Sequence, residues 1–299
     1  MLVRSILTAL RHAVTWTMLA GLWLVSRLPW GFQRLFAVVF GAFAFHCIPL
    51  RRHVTLVNLG LCFPKLSASA VRRLGRRHYQ SLALGILEAA RCWWRRPDAL
   101  PPCRIEGVEA LEKARAAGRG VLLVSGHFTT LEITGRMLAL RTPICCLYRD
   151  PNNAVLAALL RKHRSAWTNR AIEMRDMSGL MRALRDGEVV WYAPDQGKWT
   201  PQAAILPFFG RPAITNMSTT RLAKISGSAV FTFFPRREAD GTYVLTISPP
   251  LDGFPGESPE ADTLRLTALL ECAIRAAPEQ YLWVHRRFKS FNGAPVSPY

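Results

Sequence analysis

Acidic residues are almost missing from the first third of the chain. Residues 1–100 carry 14 Arg or Lys against only Glu88 and Asp98, which gives this segment a net charge of +12. The whole chain of 299 residues has a net charge of +19. Such an excess of positive charge predicts anionic partners, namely nucleic acid, anionic lipid or an acidic protein.

Long uninterrupted apolar runs are missing as well. No formal charge occurs from His12 to Ser26 or from Leu35 to Leu50, but each run is shorter than the ~20 residues that a membrane-spanning helix needs. Tryptophans and arginines surround these runs, as expected at a membrane interface. The tryptophans are Trp16, Trp23 and Trp30. We therefore expect residues 1–52 to form a helical membrane anchor, either a single span or an in-plane or re-entrant segment.

Three other interpretations of this N-terminal segment stay open. An Arg-rich start without acidic residues resembles a transit peptide, and Ala42-Phe43-Ala44 resembles a signal-peptidase site. A buried helical hairpin would also explain two short apolar runs. Arg27, Pro29 and Arg34 interrupt the hydrophobic core that a signal peptide needs, so the sequence favours the anchor.

The seven cysteines contain no Cys-x-x-Cys pair and no spacing typical of metal ligands, so we expect reduced, mostly buried thiols and no bound metal. No Gly-x-Ser-x-Gly or Ser-x-x-Lys motif indicates a serine acyl-enzyme. The chain is 50% apolar with a mean hydropathy of +0.11, which excludes a disordered protein. No repeat or low-complexity tract is present.

Beyond the anchor, the sequence divides into a basic helical segment with a linker, 53–102, and an α/β domain, 103–299. The basic segment contains a helix that Ser69 could cap and that runs to about Trp93, followed by a proline-rich linker. In the α/β domain strands and helices alternate, which predicts a mainly parallel sheet flanked by helices. The predicted strands are 121–124, 144–148, 189–193, 229–235 and 243–247, and the predicted helices are 131–140, 154–162, 178–185, 217–225 and 263–276.

Polar side chains follow four of the predicted strands. His127 follows the first, Arg149 the second, Asp195 and Gln196 the third, and Arg236 ends the fourth. Ligands of parallel sheets gather beyond the carboxyl ends of the strands. If these strands are neighbours, a base, cations and a carboxylate converge on one edge of the sheet.

His127 lies five residues before Glu132, between a predicted strand and a predicted helix. Two residues five apart within one helix are separated by about 140°, so His127 must lie at or before the first turn for its ring to fold back toward Glu132. A neutral imidazole whose other nitrogen binds a carboxylate can remove a proton from a hydroxyl near pH 7. This spacing is common by chance, and a histidine that merely caps the helix would match it equally well.

Several motifs occur together in an order that resembles a known family. They are Gly126-His127-Phe128-x-x-Leu131-Glu132, Tyr148-Arg149, Gly187-Glu188-Val189-Val190-Trp191-Tyr192-Ala193-Pro194-Asp195-Gln196, Pro207-Phe208-Phe209-Gly210, and the segment from Ala277 to Lys289 that contains His285 and Arg286. Over nearly its whole length the chain resembles the late acyltransferases of lipid A biosynthesis, within the wider lysophospholipid acyltransferase-like group.

The resemblance implies an enzyme of the Gram-negative inner membrane, with its catalytic domain on the cytoplasmic side. It would move a fatty acyl chain from an acyl carrier protein thioester onto a hydroxyl of a lipid A precursor. The family's catalytic pair maps onto His127 and Glu132, and its important arginine onto Arg149. The segment Asp195-Gln196-Gly197-Lys198 departs from the family pattern, in which another acidic or aromatic residue often follows, so the role of this loop is left open.

Thioester chemistry fits these residues, because an activated thioester needs only a deprotonated acceptor and a stabilised oxyanion. We expect no cofactor. Arg149 or the N–H groups after Gly126 would bind the oxyanion, or Arg149 would bind phosphate. Asp195, Gln196, Arg236, His285 and Arg286 are the further candidates for binding substrate, the last two as contacts to a lipid headgroup.

Partners expected from the sequence are an acyl carrier protein, a lipid A precursor and membrane lipids, and no nucleic acid. Acyl transfer to another glycolipid or lysophospholipid is the first alternative. A nucleic-acid-binding protein and a non-catalytic membrane scaffold are two others, but the basic residues flank apolar runs instead of forming a soluble basic face with stacking aromatics.

Overall fold

The computed structural model describes residues 2–290 and 297–299, with side chains from Leu10 onward. The helices of this part run in chain order as follows: α1 (Leu2–Arg27), α2 (Trp30–Cys47), α3 (Pro49–Cys62), α4 (Ala68–Trp94), α5 (Val108–Ala116), α6 (Leu131–Ala139), α7 (Ala154–Trp167), α8 (Met177–Arg185), α9 (Ser218–Ser226) and α10 (Pro259–Ala276). Short 3₁₀ turns follow α4 and α10, at Pro97–Ala99 and Pro278–Gln280.

Seven strands of the described residues form one sheet, in the order β1-β9-β8-β2-β5-β3-β4. They are β1 (Cys103–Glu106), β2 (Val121–Val124), β3 (Cys145–Tyr148), β4 (Arg170–Glu173), β5 (Val189–Tyr192), β8 (Ala229–Arg237) and β9 (Tyr243–Ile247). A separate antiparallel hairpin consists of β6 (Ala203–Phe208) and β7 (Arg211–Asn216). Only β8 and β9 pair antiparallel within the sheet, so the predicted α/β fold with a mainly parallel sheet flanked by helices is confirmed.

Alternate residues of each central strand face opposite sides of the sheet, and helices cover both sides. In β2, Leu123 packs toward α5 and α6, whereas Leu122 packs toward α8, α9 and α10. Both leucines are completely buried. Parallel sheets need such cover on both faces, which explains why these strands appear as continuous apolar runs in the sequence.

The strands with polar ends are neighbours, as the sequence predicted. Strand β2 pairs with β5 on one side and with β8 on the other, and β3 pairs with β5. All of these pairings are parallel, so the carboxyl ends of β8, β2, β5 and β3 lie side by side. One edge of the sheet therefore receives the segments that begin after Val124, Tyr148 and Tyr192.

Helix α4 connects the N-terminal helices to this edge. It is capped by Ser67, whose Oγ accepts the Ala70 N–H, and not by Ser69 as predicted. Its middle turns approach the loop after β2 so closely that a Cβ at Gly85 would lie 2.2 Å from the Thr129 carbonyl oxygen. Ser81 Oγ and Thr129 Oγ1 are hydrogen-bonded at 2.8 Å. The sequence elements before the α/β domain therefore contact the loop that carries His127.

Helices α1 and α2 pack against α4. Gln33, Ala37, Gly41 and Phe45 form the buried face of α2, and the close approach of Gly41 to the α4 backbone leaves no room for a larger residue. None of the described helices is both long and apolar enough to cross a membrane alone. The pair α2 and α3, bent by 96° at their junction, meets that requirement only in combination and only by length and composition.

Several elements were absent from the sequence-based prediction. These are β1, α5, β4 and the β6–β7 hairpin, and α7 extends five residues beyond its predicted end at Lys162. The proposed division at 52 falls inside α3, and the division at 103 coincides with the start of β1.

Candidate active site

His127 lies in the loop between β2 and α6, where its imidazole contacts Asp195 from the loop after β5. The Nδ1 atom of His127 is 2.5 Å from Asp195 Oδ1, and the backbone N–H of His127 donates to Asp195 Oδ2 at 3.1 Å. Asp195 Oδ1 therefore accepts the Nδ1 proton, which leaves Nε2 as the basic nitrogen. Among the described residues, Nε2 has no hydrogen-bond partner, and 28% of the His127 side chain is exposed.

A third donor holds Asp195 in place. The Tyr281 hydroxyl donates to Asp195 Oδ2 at 2.8 Å, and both residues are buried. Two donors on one oxygen and a ring N–H on the other fix the rotation of the carboxylate. That arrangement orients the imidazole in the manner of the His–Asp part of a catalytic triad, but without an attached nucleophile.

The pKa values of this pair shift in opposite directions. Burial raises the pKa of Asp195, but the charge and hydrogen bonds of His127 and the Tyr281 hydroxyl outweigh it and lower the pKa to about 2. Burial lowers the pKa of His127, yet the charge and hydrogen bond of Asp195 exceed that effect and the pKa is raised above its usual 6.5. The carboxylate thus stays ionised and strengthens the histidine as a base.

Glu132 does not contact His127, which corrects the predicted pairing. Its carboxylate accepts from Arg164 of α7 in a mostly buried ion pair, with each side chain 16% exposed. Glu132 is the second residue of α6, and its second carboxylate oxygen, Oε2, is buried without a partner among the described residues. The charge of Arg164 nevertheless lowers the pKa of His127, so its field reaches the imidazole.

The backbone N–H groups after Gly126 are already hydrogen-bonded. His127 N–H donates to Asp195, Phe128 N–H to the Gly126 carbonyl, and Thr129 N–H to the Gln280 carbonyl. These three groups are not free to bind an oxyanion, contrary to one of the predicted alternatives. Their partners instead hold the loop in a single conformation.

Residues 280–282 bind the backbone of the His127 loop. The Leu282 N–H donates to the His127 carbonyl, and Phe128 and Tyr281 form an antiparallel β-bridge. The Gln280 side chain donates to the Arg237 carbonyl and accepts the Arg237 N–H, which links this segment to the end of β8. Residues of the C-terminal motif therefore hold the His127 loop mainly through its backbone.

The other predicted arginines form no hydrogen bond or ion pair with His127 or Asp195 in the described structure. Arg149 is exposed and makes no ion pair or hydrogen bond within the described residues. Arg236 pairs with Glu238 through Nε at 2.9 Å, and Arg286 is exposed with its guanidinium over the Tyr299 ring. The side chain beside the site is Arg164, which the sequence-based prediction missed because it ended α7 at Lys162.

Gln196 and His285, two other predicted binding residues, line one pocket next to the pair. This outer pocket has a volume of about 380 Å³. Its lining residues are Ile48, Arg51, Tyr79, Leu82, Gln196, Leu282, Val284 and His285. Because Gln196 adjoins Asp195 and Leu282 binds the His127 carbonyl, the two walls of the pocket continue into the segments that hold the base.

An inner cavity lies on the opposite side of Asp195, between the sheet, α9 and α10. Its volume is about 40 Å³, enough for about three water molecules. Ser125, Asp195, Thr219, Thr267 and Arg287 contribute its polar lining, and Arg287 is buried and bound to the Ile214 carbonyl. The inner cavity is too small for a fatty acyl chain in this conformation.

The cysteines show no activated thiolate. Cys145 and Cys146 are buried in β3, and burial raises the pKa of both thiols, that of Cys146 to about 11. Four of the seven cysteines are buried and all are free, as expected from the sequence. A neutral, buried thiol is a poor nucleophile, so the basic group of the site is the His127 imidazole.

Comparison with known proteins identifies the family of the chain. The sequence model of the family described as "Bacterial lipid A biosynthesis acyltransferase" matches residues 4–290. The chain belongs to this family. It is therefore an O-acyltransferase of lipid A biosynthesis, and the resemblance inferred from the motifs is confirmed.

Curated relatives span nearly the same length. The Escherichia coli K12 lipid A biosynthesis lauroyltransferase is 33% identical over 283 residues, covering 94% of this chain and 92% of its own. The lipid A biosynthesis palmitoleoyltransferase of the same organism is also 33% identical, over 286 residues with the same coverage. Its myristoyltransferase is 23% identical over 295 residues, 97% of this chain and 91% of its own. These relatives of the acyltransferase family are named for different acyl groups.

Proposed function

We propose that this enzyme transfers a fatty acyl group from an acyl carrier protein thioester to a hydroxyl of a lipid A precursor, with His127 as the general base. The observation that best supports this role is the His127–Asp195 hydrogen bond. It leaves Nε2 of the partly exposed His127 side chain without a hydrogen-bond partner among the described residues. Nε2 removes the proton of the acceptor hydroxyl, and the resulting alkoxide attacks the thioester carbonyl. Asp195 stabilises the imidazolium that forms.

This role for Asp195 replaces the predicted role of Glu132. Glu132 fixes Arg164 in a buried ion pair, and a cation held this way cannot turn toward solvent. We assign to Arg164 the electrostatic stabilisation of the oxyanion that develops on the thioester, because its charge already acts on the His127 ring. The thiol leaves as the tetrahedral intermediate collapses and takes the proton from the imidazolium, so no cofactor or covalent enzyme intermediate is needed.

Charge supports an acidic donor and an anionic acceptor. The chain carries a net charge of +19, and α4 exposes Arg72, Arg73, Arg76 and Arg77 on its N-terminal half. Acyl carrier protein is acidic and lipid A precursors carry phosphates, so both would be attracted to such a surface. Another glycolipid or a lysophospholipid remains the alternative acceptor.

We further propose that the enzyme works at the cytoplasmic face of the Gram-negative inner membrane, with α1 and α2 lying on the bilayer. One face of α2 packs on α4, and the opposite face exposes apolar side chains at helical spacing. These are Phe32, Leu35, Phe36, Val39, Phe40 and Phe43, of which Phe32 is 64% exposed. A helix with one face on protein and an apolar face outward favours an in-plane position over a single span.

A direct test uses the purified full-length enzyme in detergent micelles, acyl carrier protein thioesters of several chain lengths, and an incompletely acylated lipid A precursor. We expect transfer by the wild type and a loss of at least about 10³-fold in kcat for His127→Ala, because the base is removed. His53→Ala is the matched control, since His53 is exposed on α3 and has no role in the site. The readout is acylated product by mass spectrometry.

Full transfer by His127→Ala would overturn the mechanism. Transfer to a lysophospholipid but not to the lipid A precursor would overturn the acceptor and support the alternative. Transfer from coenzyme A thioesters that exceeds transfer from the carrier protein would overturn the donor.

A further inference from the structure

The outer pocket contains polar groups whose hydrogen-bonding capacity is unused in the described residues. Arg51 donates only to the Val284 carbonyl, at 3.2 Å, and none of the described carboxylates lies within ion-pair distance of it. His285 Nε2 is buried and has no partner in the part of the chain that the structure describes. Leaving a buried polar atom unpaired is costly, so a ligand that supplies oxygen atoms here would gain binding energy.

The rest of the outer pocket is apolar. Its apolar lining comes from four side chains: Ile48, Leu82, Leu282 and Val284. The pocket thus combines the cation of Arg51 and the polar groups of Gln196 and His285 with an aliphatic wall. These groups suit an amphipathic ligand that has an anionic headgroup and a hydrocarbon part. A volume of about 380 Å³ admits a phosphorylated sugar but not an entire lipid with several acyl chains.

The pocket also opens where the apolar surface of α2 ends. Ile48 lies between α2 and α3, at the 96° bend, and is 46% exposed. The outward apolar face of α2 runs as far as Phe43, about one turn before Ile48. A lipid whose chains lie against α2 could therefore place its headgroup in the outer pocket without leaving the bilayer surface.

We propose that the outer pocket binds a phosphate group of the glycolipid acceptor, with Arg51 as its cationic ligand and His285 and Gln196 as hydrogen-bond donors. This assignment rests on the proposed function and names the residues that recognise its substrate. Arg51 and His285 approach the pocket from α3 and from the segment after Leu282, so the phosphate would join the N-terminal helices to the segment that supports the His127 loop. Binding there presents the acceptor hydroxyl to the base.

The ionisation of the pocket agrees with an anionic ligand. Burial, followed by the charge of Lys289, lowers the pKa of His285 to about 4, so its imidazole is neutral at pH 7 and carries one N–H. The charge of Asp195 raises the pKa of His285, whereas the charges of His127 and Arg287 lower it further. The Lys289 ammonium donates to the Gly197 carbonyl. The phosphate would thus meet the positive charge of Arg51 and a neutral donor from His285.

The test compares Arg51→Gln with the wild type in the full-length enzyme. The probes are a bisphosphorylated lipid A precursor and the same precursor after phosphatase treatment, at saturating acyl carrier protein thioester. We expect the KM of Arg51→Gln for the phosphorylated acceptor to rise at least about tenfold, with kcat nearly unchanged, because a charge-assisted bond is lost. With the dephosphorylated acceptor, wild type and variant should have equal KM values.

Arg115→Gln is the matched control, because it removes the same charge from an exposed position of α5 that does not line the pocket. His285→Ala should raise the same KM by a smaller factor. Direct binding of Arg51→Gln to micelles that contain the phosphorylated acceptor, measured without donor, should weaken in parallel.

An equal loss of affinity for both acceptors would overturn the assignment, and so would an equal loss in Arg115→Gln. A rise in the KM for the acyl donor instead of the acceptor would also overturn it, because a phosphate of the donor would then occupy the pocket. A wild type that acylates no phosphorylated glycolipid would overturn the proposed function itself, whereas an active wild type with an unaffected Arg51→Gln would overturn only the pocket.

Discussion

Two buried carboxylates in this enzyme, Asp195 and Glu88, each contact a basic side chain, yet their pKa values shift in opposite directions. Asp195 receives three donors spread over both oxygens, and its pKa falls to about 2. Glu88 of α4 receives Arg237 and Tyr243 on Oε1 alone, while Oε2 is buried without a partner in the described structure. Burial therefore exceeds the effect of Arg237 and raises the pKa of Glu88.

The difference shows that the distribution of donors decides what a buried carboxylate does. An ionised Asp195 orients His127 and leaves Nε2 without a partner among the described residues. The Glu88–Arg237–Tyr243 cluster instead joins α4 to β8 and β9, with both ionic partners almost completely buried. The two sites are connected, because Gln280 binds the Arg237 backbone and Tyr281 binds Asp195.

The largest expected effect is on activity, from Asp195→Asn. An amide at this position cannot carry the negative charge that stabilises the imidazolium, so we expect kcat to fall by about 10³- to 10⁴-fold. Steady-state transfer assays measure this effect. Asp252→Asn, on an exposed turn, removes the same charge away from the site and should retain wild-type activity. A kcat for Asp195→Asn within tenfold of the wild type (about 1.4 kcal/mol in barrier) would refute the role of Asp195.

Glu88→Ala should act on stability instead. It leaves the Arg237 guanidinium buried without its counter-ion, which should lower the free energy of unfolding by about 3–5 kcal/mol. Denaturant titration of the purified enzyme, followed by tryptophan fluorescence, measures the loss. Glu88→Gln, which can still accept from Tyr243, should cost less. If both variants were as stable as the wild type, the claim that Glu88 stabilises the fold while Asp195 serves activity would be wrong.

Tyr281→Phe should weaken the catalytic pair without breaking it. The hydroxyl is one of three donors to Asp195, so its removal should reduce kcat by about tenfold, the usual worth of a hydrogen bond to a charged group. The carboxylate then acts more strongly on His127, whose pKa should rise further. A shift of the pH–rate profile to higher pH, with unchanged KM for the donor, separates this positioning role from a loss of structure.

The smallest expected effect is a shift in the pH dependence of kcat/KM. His127 must be neutral to accept a proton, and its pKa is raised above 6.5, so kcat/KM should increase with pH and level off above that pKa. In Asp195→Asn the raising effect of the carboxylate is lost, while burial and Arg164 still lower the pKa. The inflection of the residual activity should therefore move to lower pH. An inflection that stays in place would mean that another group titrates.

The sequence predicted the central part of the fold because its strands are buried on both faces. Val121–Val124 and Val189–Tyr192 are continuous apolar runs, and they form neighbouring strands as expected. Strand β4, with the sequence Arg-Ala-Ile-Glu, was missed since an edge strand is buried on one side only and has two charged residues among four. Strands β6 and β7 were missed because their pairing depends on contacts outside the main sheet.

The site was predicted in part for the same reason. Strand-end position alone brought His127 and Asp195 to one edge, and the parallel order of β2 and β5 confirmed it. Proximity along the chain suggested Glu132 as the partner, but α6 directs that residue toward Arg164. Tyr281, which donates to Asp195, is 86 residues from it along the chain, and a phenol in the C-terminal motif gives no signal of such a bond.

The sequence by itself determined the family, the alternation of strands and helices, and the histidine at the strand end that we propose as the base, because these depend on local pattern and residue identity. Only the tertiary structure decided which carboxylate binds that histidine and which arginine is near it. Hydrogen bonds of 2.5–3.1 Å require groups from the loops after β2 and β5 and from the C-terminal segment to meet at defined angles. That requirement is met by the packing of the sheet and α4, which no spacing along the chain encodes.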